Sequence, residues 1–130
     1  MKRANESTAA VLEQIAAGLD ALVDVNVAHL SVRPGVPALY DSKVRYIEEP
    51  DEVRQDVPTV LQHGRGDAED LVAWRIAELR VRGVEARVLI RQVRSSSGLA
   101  FYHPLVQLPD GTVEDPARIL VERYLNEGGE

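Results

Sequence analysis

GRGDAEDLVAWRIAELRVRG, residues Gly64 to Gly83, is a loop of small residues running into an amphipathic helix whose start is crowded with acids. The side chain of Asp67 is placed to accept from the amide of Asp70 while the Asp70 carboxylate reaches back, a variant of the capping box. Ala68, Leu71, Val72, Ile76 and Leu79 share one face, and Gly83 supplies the stop. The first turn of such a helix carries partial positive charge and unpaired amides. A thiol there would have a depressed pKa and attack readily. The position holds Ala68, which has no such chemistry.

Before this helix, apolar residues from Val11 to Val23 and on to Asn26 recur at three-four spacing, which predicts one long amphipathic helix from about Ser7 to His29, capped by Asn5 or Ser7. Arg33–Pro37, RPGVP, breaks it. A short strand is expected around Lys43–Ile47, an acidic turn-prone segment follows, and Pro58 opens a short helix that stops at Gly64. After Gly83, Val84, Ala86, Val88 and Ile90 alternate as a half-buried strand. A serine-rich connection leads to LAFYHPLVQL as a second strand, and PDG is a hairpin turn before the return strand TVEDP. The order predicts an α+β domain, a central helix packed on an antiparallel β-meander with a long N-terminal helix added. The expected division is a helical arm over 1–33, a core over 38–120 and a flexible tail over 125–130.

The chain has 130 residues, 45% of them hydrophobic and 28% charged, which fits one domain able to bury a core unaided. A net charge of −6 and an aromatic content of 5% disfavour nucleic acid as a partner. Positive charge nevertheless concentrates in Arg75, Arg80, Arg82, Arg87, Arg91 and Arg94, read as solvated faces of one helix and one strand, with an anionic partner surface as the lesser reading. Cysteine is absent, so disulfides and thiolate metal sites are excluded. No signal peptide or membrane-length apolar run is legible, so the expected setting is the cytoplasm or a particle.

Two further residues converge on the helix start. A three-residue loop at Pro109–Gly111 sets Leu108 opposite Thr112 and Leu105 opposite Asp115, leaving Asp115 as the diagonal neighbour of His103. Diagonal pairs lie roughly 7–8 Å apart at Cα, within reach for a carboxylate holding an imidazole. A nucleophile, a base and an orienting acid so placed make an acyl-transfer triad. Pro104, directly after the histidine, predicts an edge or a bulge there.

GDAEDLVAWRIAELRVRGVEARV resembles the core motif of the transglutaminase-like (papain-like) cysteine protease superfamily, which reads Gly-Asp-Cys-Glu-Asp-Leu-Ala with the cysteine opening the central helix. YHPLVQLPDGTVEDP resembles that family's later motifs, a His-led strand and an EDP strand carrying the acid, and YDSKVRYIEEP falls within the same match. The resemblance spans about residues 38–120. It implies a nucleophile position at Ala68, a base at His103 and an acid at Asp115, with no cofactor. It also implies a protein partner or peptide substrate, since small versions of the family occur among bacteriophage and phage-like particle proteins. Alanine cannot attack a carbonyl, so the chain as written is expected to be inactive as a thiol enzyme. Either the alanine was engineered in place of a cysteine, or the chain is a pseudoenzyme whose fold survives as a binding module. The alternative reading is a non-catalytic adaptor of a phage-like particle, forming rings or binding partner proteins through its long helix and arginine-rich face.

Gln62 stands six positions before Ala68, where papain-like enzymes place an oxyanion-hole glutamine; an exposed helix residue is the simpler reading, and the amide of Ala68 is the better oxyanion donor. Glu69 and Asp70 read as helix-dipole acids, Glu69 also restraining the thiol site, and Trp74 as packed under the N-terminal helix. His63, Asp67, Glu69 and Asp70 together need no metal.

Overall fold

The capping box at the head of the central helix forms as the sequence predicts. Asp67 Oδ1 accepts from the Asp70 amide and Asp70 Oδ2 from the Asp67 amide, both at 3.1 Å. The computed structural model describes residues 2–3, 8–48 and 53–128, and the expected caps at Asn5 and Ser7 lie outside them. In chain order the elements are β1 (Lys2–Arg3), α1 (Thr8–Ser31), a 3-10 turn (Leu39–Asp41), β2 (Arg45–Tyr46), α2 (Val57–His63), β3 (Arg65–Gly66) and α3 (Ala68–Val81). They continue as β4 (Arg87–Arg94), β5 (Ala100–Gln107), β6 (Val113–Glu114) and α4 (Pro116–Asn126). The fold is α+β.

β5 is the middle strand, antiparallel to β4 on one side and to both β1 and β6 on the other. The β5–β6 register is the one the PDG turn requires: Val106 faces Glu114, and the Leu108 amide donates to Thr112 O at 2.9 Å. Pro104 causes no bulge, because the β4–β5 ladder runs unbroken through Ile90 and Pro104. Among the described residues β1 covers β5 at Phe101 and Tyr102, and β6 at Val106 and Gln107. Alternation points the Pro104 nitrogen to the same edge as the Leu108 amide, into the gap between them.

α3 is buried nearly all round, so the single apolar face expected for it is a correction. Val72, Ala73, Ile76 and Ala77 pack with Ile15, Leu19 and Val23 of α1 and with Tyr102 and Val106 of β5. Ala68, Leu71 and Trp74 pack instead with Leu39, Val57, Val60, Ala117 and Leu120. Trp74 therefore sits on the α2 and α4 side of α3, not under α1. The buried Asn26 on α1 accepts from the Val57 amide at 3.0 Å, tying α1 to the start of α2.

α4 is the longest of the elements the sequence reading did not include, the others being β1, the 3-10 turn and β3. Asp115 directly follows the return strand and is the N-cap of α4, with Pro116 at the first helical position, where its missing N–H costs nothing. Leu125 and Asn126, expected in a flexible tail, belong to this helix, while 129–130 lie outside the described residues.

Candidate functional site

His103 and Asp115 meet as the register dictates, with His103 Nε2 3.0 Å from Asp115 Oδ2. The pair is partly open, the side chains being 20% and 28% exposed. The other oxygen, Oδ1, accepts from the Arg118 amide at 3.4 Å as the α4 cap. One carboxylate thus fixes both an imidazole and a helix start. His103 Nδ1 is buried and has no hydrogen-bond partner among the described residues. An imidazole held through one nitrogen with the other uncommitted is the arrangement a general base requires.

Ala68 opens α3, is 2% exposed and belongs to the same apolar cluster as Ala117, two residues past Asp115. No hydrogen bond links Ala68 to His103, since alanine has no side-chain group to make one. Alternation along β5 turns Tyr102 and Val106 to α1 and α3, and His103 and Leu105 to the reverse face. Approach from Ala68 to His103 therefore runs round the β5 edge, where Asp115 turns into α4. Gln62 is exposed on α2.

Tyr46 joins this neighbourhood, and the sequence reading did not single it out. β2 pairs in parallel with β3, setting Tyr46 opposite Gly66, and the Ile47 amide donates to Gly66 O at 3.0 Å. The half-buried ring packs on the Ala68 cluster. Its phenol is pushed above its ordinary pKa by burial and by the charges of Glu48, Asp67 and Asp115, so it stays a hydroxyl donor.

The acids of the α3 start stand in its first turn as the sequence suggests, and they are buried and partnered there. Asp70 accepts from the Gln55 amide and from Gln55 Nε2, both at 2.9 Å, besides closing the capping box. Gln55 Oε1 accepts in turn from His63 Nδ1 at 2.5 Å. Glu69 pairs with Arg54. Further along α3, Arg75 donates to Glu78 at 2.7 Å and to Glu114 at 2.6 Å, and Glu114 also accepts from the Tyr40 hydroxyl. Glu114 is the residue before Asp115, so this network anchors the β6–α4 junction to the central helix. Of the arginine-rich span, Arg75 and Arg80 make internal bonds, Arg82, Arg87 and Arg91 are exposed, and the exposed Arg94 donates to Gly98 O at 3.1 Å.

Among the described residues no cluster of three or more His, Cys, Asp or Glu is arranged to hold a metal ion. Among them, too, no helix is long and apolar enough to cross a membrane. No family model, curated protein or solved structure matches the chain.

Proposed function

We propose that the chain is a transglutaminase-like (papain-like) scaffold built for thiol acyl transfer on peptide or glutamine amides, in which Ala68 fills the nucleophile position. The observation that carries this reading is the His103–Asp115 pair, oriented through Nε2 with Nδ1 uncommitted. In the ancestral reaction a thiolate at position 68 attacks the amide carbonyl. The amides of the α3 start meet the developing oxyanion. His103 takes the thiol proton and returns it to the leaving amine, and Asp115 keeps the imidazole oriented. With alanine at 68 no acyl intermediate forms, and the chain acts by binding a peptide or protein partner, in a phage-like particle as the resemblance implies.

The test is Ala68→Cys, which introduces the chain's only thiol. Iodoacetamide alkylation followed by intact mass across pH should give a thiol pKa well below the ordinary value of about 8.5. His103→Ala in the same background should raise it. A slow, ordinary thiol indifferent to His103 would show that no route round the β5 edge joins the two positions and would overturn the reading.

A further inference from the structure

On the half of α4 farthest from Asp115 lies a cavity of about 470 Å³, bounded by Tyr40 and Asp41, by Lys43–Arg45 and by the last two turns of α4. Its volume falls in the range of small-molecule sites. Two of its lining residues, Val44 and Leu120, are each only 5% exposed and give it an apolar floor. Its rim carries Lys43, Arg45 and Arg123 against Asp41 and Glu127.

Two of the three cations, Arg45 and Arg123, are held in place before any ligand arrives. The Arg45 guanidinium lies over the Tyr124 ring at 4.2 Å, and that of Arg123 over Tyr40 at 5.4 Å. Arg123 is further fixed by a 2.7 Å bond to Tyr40 O, and Asp41 stands 4.0 Å from it. Lys43 and Arg45 have no carboxylate partner among the described residues. Lys43 is also the one non-glycine with positive φ among the described residues, at 63°. A lysine kept in the left-handed region is strained, and such strain concentrates at ligand clamps.

We infer that this cavity binds an amphipathic carboxylate, its anionic group held by Arg45 and Lys43 and its apolar body resting on Val44 and Leu120. A guanidinium stacked on an aromatic ring keeps its outward N–H donors in fixed directions, and bidentate pairing with a carboxylate needs them so. An apolar floor beneath a cationic rim selects against a bare inorganic anion. The same chemistry is offered by a small free acid and by the C-terminus of a peptide ending in an aliphatic residue. The site is separate from the His103–Asp115 pair and stands whether or not that pair belongs to an acyl-transfer scaffold.

The test titrates the full chain with N-acetyl-leucine and with a tetrapeptide ending in leucine, each as free acid and as amide, following the methyl signals of Val44 and Leu120. Both acids should shift these signals and both amides should not. Equal affinity for the two acids identifies a small-acid site, and tighter binding of the peptide identifies a chain terminus. Arg45→Gln should weaken binding roughly tenfold, the scale of a lost hydrogen bond to a charged group. Lys43→Gly removes the ammonium while easing the backbone, so weaker binding there does not reflect misfolding. Indistinguishable binding of acid and amide, no binding at millimolar ligand, or full affinity in both variants would each overturn the inference.

Discussion

Asp70 has no solvent contact yet receives three N–H donors, two from Gln55 and one from the Asp67 backbone. Burial, with the charge of Asp67 beside it, outweighs those donors and pushes its carboxyl up from 3.8 to about 6. A carboxyl with a raised folded-state pKa binds its proton more tightly in the folded chain. Its contribution to stability is therefore complete below 3.8 and is lost as pH rises through about 6. A ¹³C titration of the Asp70 carboxyl should find its midpoint near 6, and urea unfolding should show the matching decline between pH 4 and 6. A midpoint below 4 would mean that the three donors win. The sequence showed Asp70 as a capping acid, which it is. It could not show Gln55, fifteen residues earlier, folding back to bury that acid, because such a contact depends on the whole path of the chain between α1 and α3.

The helices also divide by what sequence can carry. α1 was legible from its apolar spacing, and α2 and α3 from their capping residues and terminal glycines. α4 was missed because TVEDP continues a strand pattern up to the residue that caps the helix, and Asp-Pro serves a turn as well as a helix start. The β5–β6 register was legible because turn length fixes it, and it alone brings His103 to Asp115. The unpaired edge at Pro104 was half legible: the missing donor was foreseen, but its place between two short flanking strands depends on residues 100 positions apart in sequence. At this scale the two oxygens of Asp115 can be separated by substitution. Asp115→Asn retains a good cap, whereas Asp115→Ala loses it. Thermal unfolding should place the alanine variant about 1 kcal/mol below the asparagine variant. Equal stability would mean that α4 does not depend on its cap.

For the whole molecule, α1 is structural and not an appendage. Leu19 and Val23 are fully buried against α3, and the same cluster reaches the sheet through Tyr102 and Val106. Leu19→Ala should cost about 2–5 kcal/mol in urea unfolding, as expected for truncating a buried leucine. The segment 34–130 expressed alone should lack cooperative unfolding by circular dichroism, because Ala73, Ile76 and Ala77 would face water. A folded, cooperative 34–130 would show that α1 adds little to the core.

The double duty of Asp115 also bears on how such a chain drifts. In the proposed scaffold, with alanine at position 68, chemistry no longer requires an acid beside His103, yet any change that removes the side-chain oxygens also unseats a helix. Position 115 is therefore held to an oxygen-bearing capping residue by the stability it confers, and on that reading an oxygen there does not date the proposed loss of the nucleophile. His103 has no such second tie through Nδ1. Of the two partners it is the one free to decay first, and its survival is the more informative of the pair.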